Sequence, residues 1–276
     1  MKIIADTATL ISPGEGASQG MTIIPVCVSV EGKTYRDYSE ITTAQFLEYV
    51  AQGAVPTSSQ PAIGDFLEIF ESGQEEVLML TVGDGLSGAY QTAMGARNLA
   101  EHPERIHIMN TKTLAGPLRY LAKKAVVLNS HGLEIECMKE KLQKCIDSSV
   151  SFVIPEDFEF LKRSGRITTL GAKLGGALKI LPILTQTKDK TRITPFGVKR
   201  SWEGAVEAIL KQLQSLGVGA DHLISVCHAG TQEKAEWIMG KIGERFSTSE
   251  LEILELSPAL ITHGGPGCIV IQAIRK

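Results

Sequence analysis

The chain has 276 residues, 43% of them apolar, enough to bury a substantial core in one large domain or two of ordinary size. Acidic residues number 31 against 28 basic, a net charge of −3, which leaves no broad basic surface and argues against nucleic acid or an anionic membrane as partner. No run of about 18 apolar residues occurs, and only a few apolar residues precede Asp6, so neither stable membrane insertion nor a secretory leader is expected and the cytoplasm is the expected location.

The elements alternate from the start. "KIIAD" (2–6) reads as a strand ending in an acid, and "TIIPVCVSV" (22–30) as a β-branched strand followed by the turn Glu31-Gly32-Lys33. "TTAQFLEYVAQG" (42–53) carries a threonine cap and a glycine stop, and "IGDFLEIFESG" (63–73) is a second short amphipathic helix. "VLMLTV" (77–82) has the continuous apolar character of a strand buried on both faces. A helix over 88–100, the strand "IHIMN" (106–110) and helices over 114–130 and 134–147 follow. This β-α rhythm over residues 1–148 predicts an α/β domain with a mostly parallel sheet.

Residues 149–276 read differently. "SVSFVIP" (149–155), "KILPILTQTK" (179–188) and "RITPFGVKR" (192–200) are strands, the last two joined as an antiparallel hairpin at Asp189-Lys190. A helix over 201–216, the strand "HLISVCHA" (222–229), a helix over 231–246 and strands over 251–256 and 268–274 complete an α+β domain with a mixed sheet. The boundary is placed near residue 148.

Five segments could carry chemistry. In "GDGLSGAYQTA" (83–93) a glycine-rich turn and Ser87 lead into a helix whose free N–H groups and positive dipole end suit a carboxylate or phosphate. Ser87 as a cap of its own helix fits the same residues. "PTSSQPAIGDF" (56–66) crowds hydroxyls into a turn, as ligand donors or as a helix cap. In "SPALITHGGPGCIV" (257–270), His263 sits in a glycine- and proline-rich loop, as a hydrogen-bond donor, a base or an incidental residue. "EFLKRSGRITTLG" (159–171) groups Lys162, Arg163 and Arg166 around Gly165, and "GVKRSWEGA" (197–205) adds Lys199 and Arg200; such cations suit a solvated loop, a phosphate or an acidic partner.

Ser87 and His263 together also suggest a small acyl-ester hydrolase or an acyl- or phosphoryl-transfer enzyme. The nucleophile-elbow pattern G-x-S-x-G fails, because Ala89 stands two residues after Ser87. Gly83, Gly85 and Gly88 match the bare dinucleotide spacing, but the next strand ends in Asn110 and not in an acid. Cys27, Cys137, Cys145, Cys227 and Cys268 are odd in number and form no CxxC, so neither a zinc nor a redox site is expected, and Cys27, Cys227 and Cys268, inside apolar strand-like runs, read as small hydrophobes.

Seven segments occur in order across nearly the whole chain: "IIADTAT", "IIPVCVSVEGKTYRD", "PTSSQPAIGDF", "LSGAYQTA", "FLKRSGRI", "ILPILT" and "THGGPG". Together they resemble the DegV family of bacterial fatty-acid-binding proteins. The resemblance implies two α/β-type domains with a lipid between them. It implies a non-enzymatic carrier that buries a long-chain fatty acid in an apolar tunnel. The carrier presents the carboxylate to the ATP-binding subunit of a fatty-acid kinase, in phospholipid metabolism, and needs no cofactor of its own. Carried over by motif, the carboxylate contacts are Ser58, Ser87 with Gly88, and His263, and the kinase or phosphate contacts are Arg166 and Arg200. This sequence departs from the family pattern in "TVGDGLSGAY", "SGRI" and "THGGPG", with fewer hydroxyls around the implied head group and an added Asp84.

Overall fold

A computed structural model describes residues 1–168 and 180–276. The chain divides into two compact units, Met1–Asp147 with Ser257–Ala259 and Ser148–Leu256 with Leu260–Lys276.

The first unit holds β1 (Lys2–Asp6), α1 (Pro13–Ser18), β2 (Thr22–Ile24), β3 (Cys27–Val30), β4 (Lys33–Arg36), α2 (Thr43–Ala51), β5 (Thr57–Ser59) and α3 (Ile63–Glu71). It continues through β6 (Val77–Thr81), α4 (Ala89–Leu99), β7 (Ile106–Asn110), α5 (Ala115–Ser130) and α6 (Ile135–Ser148). A four-stranded sheet runs in the order β2-β1-β6-β7, every pair parallel. All five residues of β6 are buried, as its unbroken apolar run predicts. Ile4, Ile24, Val77, Met79 and Ile106 pack one face onto Phe66 and Phe70 of α3 and the alanines of α4. Each large apolar side chain buried in this way contributes about 1.5–3 kcal/mol. Helix α5 packs against β1 and β6.

Two readings of this unit need correction. The run 22–30 is not one strand but two, in different sheets. Pro25 has no N–H to give a ladder, and the next amide, Val26, donates to Thr7 Oγ1 instead. β3 then turns away to pair antiparallel with β4 and β5 in a separate sheet of order β4-β3-β5. The hairpin at Glu31-Gly32 does form, with both residues at positive φ (51° and 74°) as a tight primed turn requires. The "PTSSQP" segment is likewise not merely a turn, since Thr57–Ser59 is strand β5, with Ser58 opposite Val28. Neither Ser59 nor Gln60 caps α3; the Asp65 carboxylate accepts from the Ala62 amide.

The second unit holds β8 (Val150–Ile154), α7 (Phe158–Ser164), β9 (Leu181–Gln186), β10 (Ile193–Lys199), α8 (Trp202–Ser215) and β11 (His222–His228). It ends with α9 (Gln232–Arg245), β12 (Glu250–Glu255), α10 (Pro258–Gly264) and β13 (Ile269–Arg275). The six strands lie in the order β10-β9-β8-β13-β11-β12, and β11–β12 is the parallel pair among antiparallel neighbours. Phe152, Ile154, Ile224, Val226, Ile269 and Ile271 face Val206, Ile209 and Leu213 of α8 and Ile238 and Ile242 of α9. The Asp189 carboxylate accepts from the Thr187 and Thr191 hydroxyls and Lys190 takes φ 60°, which closes the predicted hairpin.

Two expected loops are helical. Lys162 and Arg163 lie on α7, which ends at Gly165 with φ 69°. His263 lies in the last turn of α10, and the glycine loop begins after it. The residues "TLG" (169–171) of the expected basic segment lie outside the described residues.

Candidate anion site at the sheet switch point

Strand β1 is central. The chain leaves it for β2 on one side, whereas β6 lies on the other. In open α/β sheets ligands bind at such a reversal, beyond the carboxyl ends of the strands, here β1 and β6. Two loops border this place, Asp6–Leu10 after β1 and Val82–Gly88 after β6.

The second loop is fixed from outside. The Gly83 amide donates to Thr113 O at 3.1 Å, and a Cβ on Gly83 would stand 3.0 Å from the Lys112 backbone. Only glycine permits that approach. Asn110, at the end of β7, accepts from the Asp84 and Lys112 amides, both at 3.1 Å. The Asp84 carboxylate accepts from the Gly85 amide and from Gln91 Nε2, so it is already engaged by its own loop and helix.

Helix α4 begins after Gly88, and Ser87 Oγ accepts from the Ala89 amide at 3.2 Å. Gly88 is therefore the N-cap, and Ser87, half-buried just before it, holds the first amide of the helix. The Gln60 carboxamide lies against Gly88, at 3.1–3.2 Å from where a Cβ would be. Gln60 thus stands at the α4 N-terminus, a placement that sequence reasoning missed. Ser58 is half-buried in the middle of β5.

Asp6 and Asp37 were also missed, although the acid ending β1 was visible as such. Both are 0% exposed. Asp6 Oδ1 accepts from the Ala8 amide at 2.9 Å, and its carboxylate lies beside the Val82 amide, bridging the two loops. Asp37 lies beside the hydroxyls of Thr7 and Ser257 and the amides of Ala259 and Tyr38. Burial pushes the Asp6 carboxyl up to about 7, with the Asp37 charge adding to the effect, and burial pushes Asp37 up to about 6.

The other expected residues belong to the second unit. Burial drives the His263 imidazole down to about 4, and the Arg166 guanidinium pushes the same way. His263 is therefore neutral near pH 7, a hydrogen-bonding group and not a cation. Arg166 is half-buried and donates to Ser164 O. Arg192 donates to Gly165 O, Lys162 pairs with Glu159, and Arg163 lies 4.6 Å over the Phe160 ring. Arg200 is exposed, one residue before the Ser201 cap of α8. The structure thus groups Ser87, Gly88 and Gln60 in one unit, and His263 and Arg166 in the other.

The model of the family described as "Uncharacterised protein, DegV family" matches residues 1–276. A DegV domain-containing protein of Lactococcus lactis is 28% identical over 284 residues, covering 100% of this chain and 98% of its own. Among solved structures, a fatty-acid-binding DegV family protein from Thermus thermophilus has a TM-score of 0.90 at 26% identity, over 100% of this chain and 99% of that one. The fold also matches that of DegV, a fatty acid binding protein from Bacillus subtilis, with a TM-score of 0.87 at 24% identity, over 100% and 99% of the two chains.

Proposed function

This chain belongs to the DegV family, and from that premise we propose that it is a carrier of a long-chain fatty acid. The full-length likeness to the fatty-acid-binding protein of Thermus thermophilus carries this reading. The carboxylate is held by the free amides at the start of α4, the Ser87 hydroxyl and Ser58, with neutral His263 as a further donor. Each charge-assisted bond of this kind contributes about 1.5–3 kcal/mol when desolvated. The alkyl chain adds about 0.8 kcal/mol for every methylene removed from water.

The carrier then presents its carboxylate to the ATP-binding subunit of a kinase for phosphorylation to an acyl-phosphate. Arg200, exposed at the end of β10, is available to an acidic surface of that subunit. Arg166, half-buried, with its charge felt at His263, is our candidate to meet the phosphoryl charge. No described helix is long and apolar enough to cross a membrane, and the cytoplasm is the proposed place of action.

Native mass spectrometry of the protein purified from bacteria tests the carrier reading, with a bound fatty-acid mass as the expected result. Ser87→Ala should weaken retention about 10- to 150-fold, the equivalent of one charge-assisted hydrogen bond. A lipid-free protein that myristate cannot load would sink the reading.

A further inference from the structure

Two buried acids, Asp6 at the end of β1 and Asp37 after β4, have no part in the reading above. Asp6 Oδ2, both carboxylate oxygens of Asp37 and Ser257 Oγ close no hydrogen bond of good geometry among the described residues, although the hydroxyls of Thr7 and Ser257 and the amides of Ala259 and Tyr38 stand beside Asp37. Such atoms are costly to bury, the more so as carboxylates. Their charged neighbours do not relieve the cost. On α5, Arg119 donates to Leu10 O at 2.6 Å. On β3 stands Cys27, and beyond it Arg36 is paired with Asp65, and Glu40 accepts from the Arg36 amide. In the second loop, Asp84 is engaged by Gly85 and Gln91. Among the described residues, none of these cations bonds either acid.

Burial disfavours the charge on each acid, and the Asp37 charge adds to the cost at Asp6. Burial has already raised both carboxyls toward neutral pH. Asp6 touches both loops at the switch point, at Ala8 and at Val82. A carboxylate arriving there adds a third negative charge.

We propose that Asp6 and Asp37 form a proton-holding acid pair that couples binding of a carboxylate ligand at the switch point to the uptake of a proton. The inference rests on the carrier reading for the nature of the ligand. The ligand anion raises the cost of ionising the pair, so a solvent proton moves onto an Asp carboxylate oxygen as the ligand enters. The carboxyl formed turns an orphaned acceptor into an O–H donor. By linkage, binding weakens as pH rises through the range in which the pair ionises. The pair is thus a specificity device, favouring the ligand where protons are available.

Isothermal titration of lipid-free protein with myristate, at pH 7.5 in buffers of different ionisation enthalpy, reads the proton directly. The expected result is an observed enthalpy that varies with the buffer, with up to one proton taken up per ligand. The dissociation constant should rise by up to about tenfold per pH unit between pH 7.5 and 8.5. Asp37→Asn should flatten both dependences. His263→Gln should leave the buffer dependence in place, because that imidazole is the other group able to gain a proton. Binding without buffer dependence in the wild-type protein overturns the coupling while leaving the carrier intact. So does a dependence that disappears in His263→Gln and persists in Asp37→Asn. If Asp37→Asn fails to fold, the wild-type and His263→Gln titrations decide the question together: a dependence that survives in His263→Gln supports the acid pair, and one that disappears there overturns it. Binding of myristate at no pH overturns both readings.

Discussion

Among the described residues no cation bonds the buried Asp37, and burial outweighs the donors beside it, so its ionisation works against the fold. Its carboxyl and that of Asp6 are raised well above the value of an unfolded aspartate, to about 6 and about 7. The folded chain therefore binds more protons than the unfolded one across that interval. This contribution to stability is present in full below pH 4 and is lost as pH rises through 6 to 7. Asp37→Asn should accordingly melt higher than the wild type at pH 8, by the equivalent of about 1–3 kcal/mol, with the gain vanishing by pH 4. A variant less stable than wild type at pH 8 in a calorimetric scan would show that the charged form is satisfied after all. His263 has the opposite sign. Its imidazole is pushed down to about 4, so its contribution is intact above the ordinary histidine range and is lost as pH falls from about 6.5 toward 4. The two effects oppose each other between pH 4 and 6.5 and are separable by the single variants.

The short elements position the chemistry, and they were the least legible in the sequence. Helices α7 and α10 are seven residues each. Their cations and glycines resemble loop composition, and neither is long enough to show a helical period. What fixes them is mutual packing across the Gly265 turn. Gly265 has φ 78°, and a Cβ there would stand 2.8 Å from the Phe160 ring of α7. Gly265→Ala should therefore cost about 2 kcal/mol or more, from backbone strain and from the displaced ring together. Because His263 precedes this turn by two residues, the same variant should also lower myristate retention, measured on folded protein at 20 °C. Wild-type stability in a denaturant titration of Gly265→Ala would mean that the turn is not under this constraint. By contrast, the hairpin at Asp189-Lys190 and the buried strand β6 were plain, because turn chemistry and a continuous apolar run are local signals.

At the scale of the whole chain, the change from α/β to α+β rhythm is visible because each rhythm extends over many residues. The acid pair was not, because it is assembled from three distant segments. Asp6 ends the first strand, Asp37 follows the fourth, and Ser257 and Ala259 come from near the carboxyl end. No spacing in the sequence relates them. Their assembly also shows that the first unit is not contiguous, since Ser257–Ala259 groups with Met1–Asp147. A fragment ending at Asp147 loses the Ser257 hydroxyl and the Ala259 amide, both of which favour the charged form of Asp37. It also opens a site that is closed to water in the complete chain. Hydration of Asp37 relieves the cost of its charge, while the apolar burial supplied by the missing segment is lost. The expected balance is a fragment that unfolds at lower urea than the full chain at pH 6, with a weaker dependence on pH between 6 and 8. A fragment with the full chain's midpoint and the full chain's pH dependence would mean that Ser257–Ala259 contributes nothing to the environment of the pair.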